Sequence, residues 1–202
     1  ANEFAKSFMP PAVRISNVEV QEAGLLALLG RTDEAIALVD AIAARLQAPM
    51  TNYLNFTYTT IYGIADNREE FRRWARKNQE VRSQLPDVFE PFLEMESAQI
   101  SIWDGEYDAA VESLDRASAM FEQSYLQVAQ DSLSTFDIYI GMAELYLEAG
   151  KTEKAKAQLE EILRVFPSNA YAKLILAEVL VAEGDTDNAR LFLNDVLDLW
   201  SG

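Results

Sequence analysis

Apolar residues recur at intervals of three and four along most of the chain, and the pattern is interrupted by short polar or glycine-containing stretches. That period puts them on one face of an α-helix. Met142, Leu145, Tyr146 and Ala149 form one such stripe, which ends at Glu148-Ala149-Gly150-Lys151; a second ends at Ala182-Glu183-Gly184-Asp185. Glycine suits the left-handed residue that closes a helix. Thr152, Thr186 or Asp185 are placed to cap the helix that follows. The pattern predicts ten helices in five antiparallel pairs, over about 17–29, 32–47, 51–65, 68–84, 91–103, 106–122, 132–149, 152–165, 169–183 and 186–200. Ser16-x-x-Glu19 reads as a capping box opening the first helix, with 1–15 as an N-terminal extension. No strand pattern competes.

The stripes repeat. A shift of 34 residues lays Gly150 on Gly184, Met142 on Leu176, Ala143 on Ala177 and Tyr146 on Leu180. It also lays Thr152 on Thr186, Ala155 on Ala189, Leu159 on Leu193 and Ile162 on Val196. Ala143, Ala155, Ala177 and Ala189 are expected where two helix axes approach closely, since a larger side chain would push them apart. Tyr146, Leu159, Leu180 and Leu193 are expected to fill the space between pairs.

Tyr139, Met142-Ala143, Tyr146, Gly150, Ala155, Leu159, Ile162 and Pro167 resemble the motif of the tetratricopeptide repeat (TPR) family. The next unit follows with Leu176-Ala177, Leu180, Gly184, Ala189, Leu193 and Val196, although Lys173 replaces the first aromatic. Weaker copies lie upstream, in Ala98, Gly105, Tyr107, Ala110, Leu114 and Ala117, and in Ala23, Leu26, Gly30, Ala35, Val39 and Ile42. The turns at Gly30, Asp66-Asn67, Gly105, Gly150 and Gly184 are 36, 39, 45 and 34 residues apart. The interval of 45 requires longer helices or an insertion near Gln123–Thr135. The resemblance implies an all-α, right-handed α-solenoid of about five antiparallel helix pairs, a TPR-like superhelix forming a single domain over 1–202. Residues 16–86 are its degenerate repeats, 87–135 a repeat with longer helices, and 136–169 and 170–202 its clear units.

The resemblance also implies a site. In that family the first helix of each pair lines the concave face. Carried over, this face holds Asn17, Val20, Gly24 and Leu28, then Tyr53, Phe56, Thr60 and Gly63. Met95, Gln99, Ile102 and Trp103 follow, then Asp137, Ile140, Glu144 and Glu148, then Tyr171, Leu174 and Glu178. Tyr53, Phe56, Thr60, Met95, Gln99, Trp103, Ile140, Glu144, Tyr171 and Glu178 are the partner-binding candidates. Gly24 and Gly63 would leave room for a ligand. The implied function is a non-catalytic scaffold holding a protein or peptide segment in a groove that grades from aromatic to acidic. No Lys or Arg falls on these positions, which argues against gripping a chaperone's C-terminal carboxylate.

Composition narrows the chemistry. The 202 residues include no Cys and no His. This excludes disulfides, thiol nucleophiles, imidazole-based triads and Cys/His zinc sites. We therefore expect no catalytic residue, no cofactor and no metal; Asp185-Thr186-Asp187-Asn188 lacks the glycine and distal Glu of a calcium loop. The net charge is −16. Residues 1–86 carry 10 basic and 10 acidic side chains, whereas 87–202 carry 7 and 23. Such a surface repels nucleic acid and favours basic or neutral protein partners. Arg68, Arg72, Arg73, Arg76, Lys77 and Arg82 share one predicted helix with Glu69, Glu70 and Glu80, with the pairs Glu69–Arg73, Glu69–Arg72 and Glu80–Arg76 at helical spacing. No apolar run approaches a membrane span. Leu46–Ala65 has no charged residue, so its helix is either enclosed on both sides or lines a groove.

The chain begins with Ala, and its last helix ends Leu197-Asp198-Leu199-Trp200. Both fit a second reading: a C-terminal accessory or regulatory module of a larger bacterial enzyme or transcriptional regulator. A homo-oligomerisation module, such as a homodimer through the C-terminal helix, is a further alternative. The composition is compatible with cytoplasm and periplasm alike.

Overall fold

A computed structural model describes residues 11–47, 50–125 and 133–201, with side chains over 18–47, 50–121 and 138–199. Among the described residues there are ten α-helices and no strand. They are α1 (Pro11–Leu28), α2 (Thr32–Ala43), α3 (Leu54–Ile64), α4 (Arg68–Glu80) and α5 (Glu90–Asp104). Then come α6 (Tyr107–Tyr125), α7 (Leu133–Glu148), α8 (Thr152–Val165), α9 (Ala170–Glu183) and α10 (Thr186–Ser201). The fold is all-α and TPR-like. Short 3-10 turns precede α3 and follow α4, at Met50–Tyr53 and Arg82–Gln84. Of the longer helices or insertion expected for the 45-residue interval, α6 supplies length, at 19 residues, and 126–132 lie outside the described residues.

Two capping expectations are overturned. Helix α1 starts at Pro11, so Ser16 lies inside it and is not its cap. Proline at the start of a helix loses no hydrogen bond there, and its fixed φ favours the first turn. Thr152 likewise lies inside α8, whose cap position is Lys151. Side-chain capping comes instead from Asn67, Asn169 and Asp185, whose oxygens accept from the backbone N–H of Glu70, Ala172 and Asn188.

The five predicted turns share one geometry. Gly30, Gly105, Gly150 and Gly184 have φ between 72° and 84°, and Asp66 takes the same role at 48°. Each donates its N–H three residues back, and the following residue donates five back, as in Lys151 to Tyr146 (2.8 Å) and Asp185 to Leu180 (2.8 Å). This paired closure satisfies the carbonyls left open at a helix end and folds the chain into an antiparallel pair.

The chain divides into two compact units, Ala1–Glu96 and Ser97–Gly202. In the first, α3 packs on α1, α2 and α4 around Ala23, Ala27, Val39, Ile42, Leu54 and Ile61. In the second, α9 packs against α7, α8 and α10. Ala143, Ala155, Ala177 and Ala189 are all buried, as the close-approach argument requires, and so are Tyr146, Leu159 and Leu180. Leu193 is not: it is 40% exposed.

Candidate interaction surfaces

In the first unit the uncharged helix is enclosed on two sides. Leu54, Asn55, Tyr58, Thr59 and Ile61 of α3 are buried, and Tyr58 stacks on Trp74 of α4 at 3.8 Å. The Tyr58 hydroxyl donates to Asp40 of α2 at 2.5 Å. Burial, then this hydrogen bond to a carboxylate, raises the Tyr58 pKa. At Gly63 an added Cβ would make an ordinary contact with the Phe71 ring at 3.5 Å, so one ring already borders the space expected there. Gly24, by contrast, has nothing within 4 Å of the same position.

Tyr53 and Phe56 occupy the remaining face of this segment, half-buried. Both stack on Phe89, at 5.1 and 5.2 Å, and Phe56 and Phe89 each lie near Phe92, at 6.0 and 6.1 Å. The result is a four-ring cluster with Thr60 exposed on the same helix. Phe89 and Phe92 were not among the candidates. Phe89 lies in the 3-10 turn before α5 and Phe92 in its first turn, and no spacing within the segment signals the contact. Met95 is half-buried.

The first unit also holds a buried polar island that the sequence did not disclose. Glu96 and Asn78 are buried. Glu96 Oε1 accepts from Thr59 Oγ1 (2.6 Å) and Asn78 Nδ2 (2.8 Å). Burial pushes the Glu96 carboxyl up to about 7, outweighing both hydrogen bonds. On α4, Arg73 pairs with Glu70 at 3.1 Å, Arg68 with Asp66 at 3.0 Å, and Lys77 lies over the Trp74 ring at 3.6 Å; Arg82, expected on the same helix, falls in the 3-10 turn after it and pairs with Glu90. Arg73 thus meets Glu70, three residues back, rather than the expected Glu69.

The second unit brings several candidates together. The Tyr171 hydroxyl of α9 donates to Glu144 of α7 at 2.5 Å. Gln99 of α5 donates to Glu148 of α7 at 3.4 Å. Burial, then the charges of Glu178 and Glu148, hold the Glu144 carboxyl above its usual range, against the Tyr171 hydrogen bond. Tyr171 and Glu178 are exposed, whereas Gln99 and Trp103 are half-buried. Ile140 is fully enclosed, so it serves the core and offers no surface to a partner. On another face, Asp115 accepts from Tyr146 (2.7 Å) and Lys154 (2.5 Å).

No group of three or more carboxylates among the described residues is placed to hold a metal ion. No helix is long and apolar enough to cross a membrane among those residues.

Residues 140–202 match a family model described as tetratricopeptide repeat. No curated protein matches the chain in sequence. Among solved structures, the chain is similar to nearly identical TPR-like repeats assigned to a kinesin light chain of Podosopora anserina. That match has a TM-score of 0.58 at 16% identity, over 96% of this chain and 98% of that one. BtubC (BKLC) from P. vanneervenii matches with a TM-score of 0.59 at 14% identity, over 94% and 85%. A double mutant of MamA from RS-1 matches with 0.50 at 12% identity, over 96% and 97%. At these identities the likeness is one of fold.

Proposed function

We propose that this tetratricopeptide-repeat protein is a non-catalytic interaction scaffold, and that its second unit recognises a basic or neutral segment of a protein partner. The reading is supported above all by Glu144. Its carboxylate sits partly desolvated between the charges of Glu148 and Glu178, held by the Tyr171 hydroxyl. A partner's Lys or Arg placed there replaces like-charge repulsion with attraction, in a setting where water screens less than at an open surface. Tyr171 adds a ring for the aliphatic stem of such a side chain.

In the first unit the Tyr53, Phe56, Phe89 and Phe92 cluster is suited to an apolar anchor, with Thr60 beside it as a polar contact. Half-buried rings already held by stacking lose little freedom on binding, which favours their use as anchors.

The test is calorimetric titration with two peptides of equal length, one alternating Lys with apolar residues and one alternating Glu. The Lys peptide should bind and the Glu peptide should not. Glu144→Gln with Glu178→Gln should weaken the Lys peptide by about tenfold or more, as expected for partly desolvated charge pairs. Equal binding of both peptides, or an unchanged affinity in the double variant, removes the proposal.

A further inference from the structure

The repeat register shows two bare faces that are counterparts of each other. Count residues from the left-handed turn residue of each pair: Gly30, Asp66, Gly105, Gly150 and Gly184. Twelve before the turn lie Leu54, Leu93 and Ala172, all buried, and the half-buried Ile138. Five before lie the buried Ile61, Leu145 and Val179, and the half-buried Ile100. In α1 the same two positions are Val18 and Leu25, which are 68% and 61% exposed. In the later pairs these positions belong to a helix that follows a described pair, and among the described residues no pair precedes α1.

The converse holds at α10. Nine after the turn lie Val39, Ala75, Leu114 and Leu159, none more than 3% exposed. Their equivalent Leu193 is 40% exposed, and Leu197, four residues further on, is 61% exposed while its equivalent Leu163 is half-buried. Leu159 and Leu163 sit on α8, which packs against α9 of the following pair. Among the described residues no pair follows α10.

We infer that copies of this chain associate head to tail, with α10 of one, through Leu193 and Leu197, packing on α1 of the next, through Val18 and Leu25. The contact continues the interface that the chain builds internally between α8 and α9, using the same repeat positions on each side. One opposite-charge pair is available to it: the exposed Arg190, one turn from the exposed Asp187, lies on the stripe with Leu193 and Leu197, and the exposed Glu22 lies on the stripe with Val18 and Leu25. A symmetric α10-to-α10 dimer would pair like with like, an arrangement without precedent in the chain. A head-to-tail contact uses two different patches, so it propagates until it closes into a ring or grows as a filament.

Sedimentation velocity over a concentration series tests this with the 202-residue chain. The wild type should grow past dimer as concentration rises. Leu25→Glu and Leu193→Glu/Leu197→Glu alter exposed positions, so each should keep the wild-type circular dichroism. Each alone should associate at least about a hundredfold more weakly, from burying an unpaired charge. Mixed in equal amounts, they retain one intact face each and should form a heterodimer that grows no further. A wild type that stays monomeric up to its solubility limit overturns the inference. So does a Leu25→Glu variant that associates like wild type, or a mixture that stays monomeric.

Discussion

Replacing Glu96 with glutamine isolates the effect of one buried carboxyl on stability. In the folded protein its pKa is about 7, against an ordinary value of 4.5. The folded state therefore keeps a proton that the unfolded chain releases between these two values. Its contribution is fully present below about pH 4.5, falls as pH rises through 7, and is flat above. The gap corresponds to a loss of roughly 3 kcal/mol across that window, taking ~1.4 kcal/mol per pH unit. The amide introduced by Glu96→Gln keeps a carbonyl oxygen for the Thr59 and Asn78 donors, replaces the acid O–H with an N–H, and does not titrate. Urea unfolding at pH 5, 6, 7 and 8 provides the measurement, with hydrogen exchange at the amides of α3 to α5 to confine it to the first unit. Other carboxylates titrate in both proteins, so the difference between the two curves is the quantity of interest. Glu96→Gln should match wild type near pH 5 and exceed it by about 2–3 kcal/mol at pH 8. Parallel pH curves would refute the argument and mean that water reaches Glu96.

Ala177→Trp should lower stability by about 1–3 kcal/mol or more through overpacking, because Ala177 is buried between helices; a thermal melt measures it. Gly184→Ala should cost about 1 kcal/mol because its φ of 84° strains any side chain, although space there is open; the same melt applies. Phe56→Ala should lose about 0.5–1.5 kcal/mol of stacking with Phe89 and Phe92 beyond its burial, and Leu159→Ala should lose more, about 2–5 kcal/mol; equal losses would put Phe56 in the core. Affinity for the Lys peptide should fall as pH drops through the raised Glu144 pKa, since the protonated carboxyl no longer attracts a cation, and Glu144→Gln should flatten that profile in calorimetry.

The helix pairs were legible because their turns carry residues with one permitted use. A left-handed residue is required at each, and glycine supplies it at 30, 105, 150 and 184. The small residues before and after each turn follow from the same geometry, so Ala143, Ala155, Ala177 and Ala189 could be read as buried. Helix starts were less legible. Ser16 offers a capping side chain, but Pro11 further upstream begins a helix that runs through it. The aromatic pair Tyr53 and Phe56 was legible, whereas its partners Phe89 and Phe92 come from a different pair, and contacts of that range leave no local pattern. Glu96 was hidden for a different reason. On a helix rich in carboxylates, a buried one has the same spacing as a solvated one.

Register recovers what spacing alone misses. Seven residues before the turn, Ala23, Ala98, Ala143 and Ala177 are all buried, and the one departure is Thr59. Twelve after it, Ile42, Ala117, Ile162 and Val196 are buried, and the one departure is Asn78. Both departures point their polar atoms at Glu96. A buried charge or acid must bring its own partners, so polar residues at two otherwise apolar repeat positions are the mark of a third polar group between them. Six before the turn the rule is the opposite. Gly24, Thr60, Gln99, Glu144 and Glu178 hold that position, and none of them is buried. Packing constrains the adjacent position and leaves this one free, so the change from Gly and Thr to Gln and Glu is not dictated by the fold. It is the position at which one helical scaffold can present different chemistry in each pair, and its acidic end coincides with the carboxylates grouped around Tyr171.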